Sequence, residues 1–292
     1  MKRIVFLGCE NSHSATFLDF IQSDEKFSDI EVVGVYSHDR EAAERLGEKY
    51  GVNVLDHYAD AVGKVDGVVV TARHGDNHLK YAAPYMQRGM VMFIDKPITV
   101  KEEDALELAR LCADNGVKVA GGSSCRFDAW VKELKNDARQ RVGGDTISGF
   151  VRCPVSMTNE HGGFFFYSQH LVEIVAEIFG RYPRSVKAYQ NGRKLTVVFR
   201  YEQYDVTGLF VDDSFSSYYA LRAVENDVKG SSFTVDGSNP CFREEFEEFF
   251  DVLSGASQNI SFKDFIAPVF VMNAIMRSLE SGEEVEVREI LL

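Results

Sequence analysis

The tripeptide Asp95-Lys96-Pro97 contains the side chain whose type and position best suit chemistry in this chain. It follows a predicted buried strand, Val91–Ile94, and precedes a predicted helix that opens near Thr99 and Glu102. Ligands of open α/β sheets bind beyond the carboxyl ends of the strands, so Lys96 would lie at the ligand crevice, where its ammonium could donate a proton or polarise a carbonyl. The following proline would hold Lys96 extended. By spacing alone, a surface lysine in a turn is the commoner interpretation.

The turn after the first predicted strand reads Gly8-Cys9-Glu10-Asn11-Ser12-His13-Ser14. A nucleotide-binding turn usually has glycine at its first, third and sixth places, and only Gly8 keeps one. Asn11 or Ser12 could cap the following helix, whose N–H groups favour an anion, and His13 could add positive charge. Glu10 would repel a pyrophosphate unless its side chain turns away. A turn that no longer binds phosphate is the alternative.

The second predicted strand ends in Val35-Tyr36-Ser37-His38-Asp39-Arg40. An acid at this point would bind the 2′-hydroxyl of an NAD ribose, but Ser37 occupies the position. His38 and Arg40 would suit a 2′-phosphate, so the pattern fits NADP as well as NAD. Asp39 weakens the case for a phosphate and could equally cap the helix that begins at the next acid, Glu41.

Short β-branched runs alternate with helical patterns over the first 120 residues. The strand candidates are Arg3–Leu7, Glu31–Tyr36, Asn53–Leu55, Gly67–Thr71, Val91–Ile94 and Val117–Ala120. Continuous apolar runs such as Val68–Val70 indicate strands covered on both faces, as in a parallel sheet. Thr99 with Glu102 fits a capping box for the helix Glu102–Asn115. We therefore predict a doubly wound, Rossmann-type domain with a parallel sheet in residues 1–122.

The pattern changes after Gly122. Helical signals at Ala129–Arg141 and Gln169–Phe179 flank a strand near Thr146–Pro154. Further strand candidates follow: Ser185–Tyr189, Lys194–Tyr201, Asp205–Val211, Ser217–Val224 and Lys229–Val235. Asn191-Gly192 is a strong hairpin signal. We predict an α+β domain with a mostly antiparallel open sheet in residues 123–292.

An amphipathic helix is predicted near the end of the chain. Its apolar face comprises Phe242, Phe246, Phe249, Phe250 and Leu253, and its outer face comprises Glu244, Glu245, Glu247 and Glu248. The apolar positions recur at helical spacing, so these phenylalanines are expected to belong to a core.

Charge and cysteine content restrict the class of partner. The formal net charge of −13 argues against nucleic acid or an anionic membrane as the main partner. The five cysteines are scattered and form no CxxC pair, which indicates reduced thiols and argues against a metal site. We see no secretory signal and no apolar run of membrane-spanning length, so a cytoplasmic protein with a small-molecule partner is expected.

The order and spacing of these motifs resemble the Gfo/Idh/MocA oxidoreductase family over nearly the whole chain. The matching segments are the opening strand and turn, Val65–Thr71, Asp95-Lys96-Pro97 for that family's Glu-Lys-Pro, Gly122–Phe127, Gly162-Gly163 followed by His170, and Phe242–Leu253. The resemblance implies an NAD or NADP cofactor bound by the first domain, and a second domain that supports substrate binding and a homo-dimer or homo-tetramer. The usual activity is NAD(P)-linked hydride transfer to or from a sugar, polyol or related hydroxy or carbonyl compound, in the cleft between the domains.

The resemblance also implies roles for single residues. Lys96 would be the catalytic lysine, which hydrogen-bonds the reacting hydroxyl and stabilises developing oxyanion charge. His170 would be the active-site histidine, a general acid or base. The family's aspartate four residues earlier is replaced by Phe166, which cannot accept a proton. Either Lys96 and His170 suffice, or Tyr167 carries the proton, or the chemistry is altered or lost; a non-catalytic ligand-sensing or partner-binding protein is the alternative.

The predicted cofactor-binding residues lie at the ends of the predicted strands: Gly8, Asn11, Ser12, His13, Ser37, His38, Arg40, Thr71, Ala72, Arg73, Asp95 and Lys96. By the resemblance, Asp95 would lie near the nicotinamide ribose. Arg126, at the domain junction, could contact substrate or form an interdomain salt bridge. His161, in a glycine-rich loop, could line the substrate cleft or be merely exposed.

Overall fold

The computed structural model describes residues 1–212, 214, 217–235 and 239–292. The chain divides into two compact units. The first unit comprises Met1–Gly122, Phe242–Phe265 and Leu292, and the second comprises Ser123–Cys241 and Ile266–Leu291. No helix within the described residues combines the length and the hydrophobicity that a membrane crossing requires.

The first unit is built on a five-stranded parallel sheet with the order β2-β1-β3-β4-β5. Its strands are β1 (Lys2–Leu7), β2 (Ile30–Tyr36), β3 (Gly67–Val70), β4 (Val91–Asp95) and β5 (Lys118–Gly122). Its first helices are α1 (Ser12–Ser23), α2 (Arg40–Tyr50), α3 (Asp76–Ala82) and α4 (Glu102–Asn115). The strand order reverses at β1, so a crevice for ligands is expected beyond the carboxyl ends of β1 and β3. The prediction of a Rossmann-type sheet is confirmed.

Two local predictions in this unit are wrong. Asn53–Leu55 is not a strand: only Val54 pairs, in a single bridge with Val35. The predicted capping box is also absent, because α4 begins after Lys101, which has no side-chain cap. Thr99 lies too early to reach the N–H groups of α4, and its hydroxyl donates instead to the carbonyl of Lys101 at 3.0 Å.

The second unit contains a seven-stranded sheet with the order β11-β10-β6-β9-β8-β7-β12. Its strands are β6 (Ser148–Val155), β7 (Ser185–Asn191), β8 (Lys194–Arg200), β9 (Asp205–Asp212), β10 (Tyr218–Val224), β11 (Asp227–Phe233) and β12 (Val285–Glu286). Its helices are α5 (Ala129–Arg139) and α6 (Phe165–Phe179), with most of α8 (Phe262–Ser281). β6 and β9 pair in parallel, and the other neighbours are antiparallel. The predicted mostly antiparallel sheet is confirmed, including the hairpin at Asn191-Gly192.

Helix α7 (Cys241–Leu253) begins at the end of the second unit, and its remaining residues pack in the first unit. The predicted boundary, which places the whole helix in the domain of residues 123–292, is therefore wrong for this helix. Phe246 and Phe249 are fully buried in the core beside β1 and β4, and the ring of Phe246 stacks on Phe17 at 4.8 Å between centroids. Glu245 is also fully buried, contrary to its predicted place on the outer face, because it lies one turn after buried Cys241.

Candidate functional site

Gly8 holds three strand ends close together. Its N–H donates to the carbonyl of Tyr36, the last residue of β2, at 2.8 Å. Its φ is +80°, and a Cβ at this position would lie only 2.4 Å from the backbone of Ala72. Only glycine accepts both conditions without strain. The backbone of the first turn therefore runs against the segment after β3, as the first glycine of a nucleotide-binding turn allows.

Four predicted residues from the first turn and the end of β4 lie in contact. Asn11 caps α1 by accepting the N–H of His13, and its amide donates to Oδ2 of Asp95 at 3.2 Å. Nδ1 of His13 lies 2.8 Å from the same oxygen. The other oxygen of Asp95 accepts the N–H of Lys96 at 2.7 Å. All four side chains are buried, so the cluster is an organised polar group at the carboxyl end of the sheet.

The charge of Asp95 is set by two opposing effects. Burial raises the pKa of its carboxyl group. The His13 ring and the Lys96 ammonium stabilise the ionised form and more than offset burial, so the pKa lies below its ordinary value. Asp95 is therefore a carboxylate at neutral pH, with His13 and Lys96 beside it. The ring of Phe242 packs edge-on against His13, with 4.9 Å between centroids.

Thr71 and Ala72 connect the end of β3 to its surroundings. The hydroxyl of Thr71 lies 2.6 Å from that of Ser14 in α1 and 3.2 Å from the carbonyl of Gly8. The carbonyl of Ala72 lies 2.8 Å from Nε2 of His78. Burial lowers the pKa of His78, which makes its ring neutral at pH 7. Thr71 and Ala72 therefore connect the end of β3 to the first turn, α1 and α3.

Glu10 reaches from the first turn to the end of β2. Its Oε2 accepts the hydroxyl of Ser37 at 2.6 Å, and its Oε1 accepts the N–H of Arg73 at 3.1 Å. Nδ1 of His38 lies 3.9 Å from Oε1. Ser37, Arg73 and His38, all predicted to bind the cofactor, thus surround the carboxylate of Glu10. Glu10 itself is not among the predicted site residues.

Two other predicted cofactor residues are placed differently. Arg40 donates to Glu44 at 2.8 Å and to Asp56 at 2.9 Å. These two carboxylates engage the guanidinium that the sequence offered to a 2′-phosphate. Ser12 is exposed at the start of α1, where its hydroxyl lies 3.4 Å from the side-chain oxygen of Asn11.

His170 and Tyr167 lie together on α6 in the second unit. Nδ1 of His170 is 2.7 Å from the hydroxyl of Ser123 and 3.3 Å from Sγ of Cys125, both in the turn after β5. The Tyr167 ring packs edge-on against the imidazole, with 5.0 Å between centroids. The imidazole is therefore held at one nitrogen by groups remote in sequence.

His161 and Phe166 are also neighbours in the second unit. Their ring centroids are 5.4 Å apart. The position where the resemblance expects an acid therefore holds the aromatic ring of Phe166, with the imidazole of His161 beside it.

Arg126 lies against the Phe127 ring, with 4.4 Å between the guanidinium carbon and the centroid. Its charge acts on two buried carboxylates of α6, Glu173 and Glu177. Burial raises the pKa of Glu173 despite Arg181 and Arg126. For Glu177, burial is outweighed by Arg181 and the other nearby cations, and the pKa lies below its ordinary value. Arg126 thus belongs to a charge cluster within its own unit.

Three residues that contribute to these arrangements are not among the predicted site residues: Glu10, Ser123 and Cys125. Glu10 carried a signal, because a carboxylate in place of a fingerprint glycine needs a partner. Ser123 carried none, because it meets His170 across 47 positions of sequence.

A family model and several curated proteins match parts of this sequence. Residues 2–123 match the model of the Gfo/Idh/MocA family, described as an oxidoreductase family with an NAD-binding Rossmann fold. Inositol 2-dehydrogenase 3 of Saccharopolyspora erythraea is 29% identical over 108 residues, which cover 36% of this chain and 32% of that protein. The chain spans between 32% and 44% of the length of the curated relatives it matches.

Solved structures share the fold along the chain. The myo-inositol 2-dehydrogenase of Lactobacillus plantarum is 14% identical, with a TM-score of 0.84 over 98% of this chain and 99% of that chain. The scyllo-inositol dehydrogenase of Lactobacillus casei, solved with NAD(H) and scyllo-inositol, is 15% identical, with a TM-score of 0.83 over 98% and 99%. The resemblance is confirmed over residues 2–123, which match the NAD-binding Rossmann fold of the Gfo/Idh/MocA oxidoreductase family.

Proposed function

We propose that this chain is an NAD(P)-dependent oxidoreductase acting on a carbon that carries a hydroxyl or carbonyl group. The observation that carries the proposal is the buried contact of Lys96, Asp95, His13 and Asn11 at the carboxyl end of β4. Burying a lysine costs free energy that a paired carboxylate only partly offsets. A lysine buried at the carboxyl end of a Rossmann sheet, where ligands bind, is therefore a candidate functional group. When bound, the coenzyme supplies the hydride chemistry.

The first turn fits a dinucleotide in two respects. Gly8 has no Cβ, so the first turn packs directly against the backbone of Ala72, as the first glycine of a dinucleotide-binding turn does. The 12-residue helix α1 begins at this turn, and a helix N-terminus favours a phosphate. We propose that the Gly8 turn and α1 hold the pyrophosphate, and that Asp95 lies by the nicotinamide ribose.

Lys96 would act on the substrate oxygen. A proton on Nζ would hydrogen-bond the hydroxyl or carbonyl and stabilise the negative charge that develops on this oxygen. Asp95 accepts the backbone N–H of Lys96 and lies near its ammonium, so it would restrict the directions in which Nζ can point.

His170 would accept the proton of the reacting hydroxyl, or donate one to the reacting carbonyl oxygen, as a general base or acid. Since Ser123 and Cys125 approach Nδ1, the nitrogen that would meet the substrate is Nε2. Tyr167 is the second candidate for this role, because its ring packs against the imidazole. The inositol dehydrogenases among the similar proteins favour a sugar or a cyclic polyol as the substrate.

The test is Lys96→Ala, assayed with a panel of inositols, sugars and hydroxy acids. We expect turnover to fall about 100-fold or more, the usual effect of removing one oxyanion donor. The coenzyme Kd, measured by calorimetry, should change only a few-fold. Lys96→Arg is the matched control for charge. Full turnover by Lys96→Ala, or no binding of either coenzyme at millimolar concentration, would contradict the proposal.

The second candidate function is a non-catalytic ligand sensor or partner-binding protein on the same scaffold. Phe166 favours it, since the acid position of the family is filled by a ring packed on His161. A coenzyme that binds tightly but is not turned over with any substrate of the panel would favour this candidate.

A further inference from the structure

Glu10 places a buried carboxylate at the point where β2 lacks an acid. Ser37 follows the last residue of β2, and its hydroxyl lies 2.6 Å from Oε2 of Glu10. The side chain of Glu10 is only 7% exposed, although its residue stands in a surface turn. The carboxylate is therefore buried beside the position where a dinucleotide-binding sheet meets the adenosine ribose.

The hydrogen bonds around Ser37 fix the direction of this contact. Oγ of Ser37 accepts the N–H of Asp39 at 3.0 Å, so its single proton is available for Glu10. Oε1 of Glu10 accepts the N–H of Arg73. A carboxylate has about four acceptor positions, and these two bonds leave acceptor capacity for the hydroxyl groups of a ribose.

Two basic side chains, His38 and Arg40, follow Ser37 in the chain, and neither makes a hydrogen bond to Glu10. Arg40 is paired with Glu44 and Asp56. His38 is more than half exposed, and its Nδ1 faces Glu10 itself at 3.9 Å. Besides burial, the charge of Glu10 contributes to raising the pKa of Tyr36, so its field reaches the end of β2.

We propose that Glu10 selects NAD over NADP, supplying from the first turn the carboxylate that β2 lacks. The inference rests on the proposed function, since it assigns a coenzyme preference to the same site. A ribose with a free 2′-hydroxyl can donate to Glu10. A 2′-phosphate carries up to about two negative charges and would be repelled by it.

The test is calorimetric titration of wild type and Glu10→Gln with NAD and with NADP. We expect the wild type to bind NAD at least about tenfold more tightly than NADP. Glu10→Gln should reduce this ratio about tenfold, through weaker NAD binding and stronger NADP binding, because hydrogen bonds to a charged group are the stronger class. Ser37→Ala keeps the charge of Glu10 but removes the hydrogen bond that holds its side chain, and should give an intermediate ratio of NAD to NADP affinity. This variant tests the inference if Glu10→Gln fails to fold.

The matched control is Asp39→Asn, which removes one charge from the same loop. Asp39 caps α2 through the N–H of Ala42, and asparagine keeps that cap. The NAD to NADP ratio should stay within about twofold of wild type. An equal shift in Asp39→Asn would overturn the inference, because it would make the preference a property of the total loop charge.

Three further results would overturn it. One is a wild type that prefers NADP, and another is a ratio that Glu10→Gln leaves unchanged. The third is stronger binding of both coenzymes by Glu10→Gln, since Glu10 would then be competing with the pyrophosphate. Failure of the proposed function is recognised separately: wild type and every variant would unfold normally on heating, but no coenzyme would bind or raise the Tm.

Discussion

At the level of single residues, the imidazole of His170 depends on the hydroxyl of Ser123. We expect Ser123→Ala to lower kcat about tenfold and to shift the His170 limb of the pH–rate profile, because partners of a reacting imidazole set its tautomer and orientation. An NMR titration of the His170 ring would report the same shift. This second measurement distinguishes a positioning residue from one that only stabilises the fold.

Ser124 provides the matched control for that change. It is buried next to Ser123, but its hydroxyl has no hydrogen-bond partner among the described residues. Ser124→Ala should leave both the pH–rate profile and the His170 titration unchanged, and Ser123→Thr should restore them. Equal effects of the two alanine variants would show that Ser123 acts only through packing.

At the level of elements, the first turn depends on the close approach of β1 to the segment after β3. Gly8→Ala would put a methyl group 2.4 Å from the Ala72 backbone, at a φ of +80°. We expect the free energy of unfolding to fall by about 3 kcal/mol or more, because the nearest atoms belong to the Ala72 backbone and cannot move aside. Urea unfolding would measure the change.

A substitution at Gly51, at the end of α2, separates the conformational strain of a positive φ from the steric clash of the added methyl group. Its φ is +67°, and nothing lies within 4 Å of an added Cβ. Gly51→Ala should therefore cost only the conformational strain, about 1–2 kcal/mol. If Gly8→Ala and Gly51→Ala lower the free energy of unfolding equally, close packing of the strand ends is not the reason for glycine at position 8.

At the level of the whole molecule, the first unit is assembled from both ends of the chain. Phe246 fills the core beside Phe17 and Phe27. We expect Phe246→Ala to reduce the free energy of unfolding of this unit by about 3–5 kcal/mol, the usual range for a buried phenylalanine. Hydrogen exchange at the β1 and β4 amides would report the loss.

Phe250, on the same helix, is only partly buried and serves as the control. Phe250→Ala should cost roughly half as much, in proportion to the smaller area removed from water. No change in exchange at β1 and β4 for Phe246→Ala would contradict the place of α7 in this core. The homo-oligomeric state and the cytoplasmic location remain predictions.

The sequence alone predicts the two sheets and most of their strands, but not the single bridge that replaces the strand expected at Asn53–Leu55. Apolar runs such as Val68–Val70 and the hairpin signal Asn191-Gly192 are local patterns, and local patterns are sufficient to predict strands and turns. It also named Asp95, Lys96 and His13, which the structure brings together, because the carboxyl ends of parallel strands meet at one edge of a sheet.

The partners of these residues follow from the folded arrangement and not from local sequence. Glu10 meets Ser37 across 27 positions and His170 meets Ser123 across 47, and no local pattern encodes which donor lies opposite which acceptor. The same holds for α7: its apolar spacing predicts a buried face but cannot say in which core that face is buried. These contacts depend on packing between distant segments, where shape and burial choose the partner.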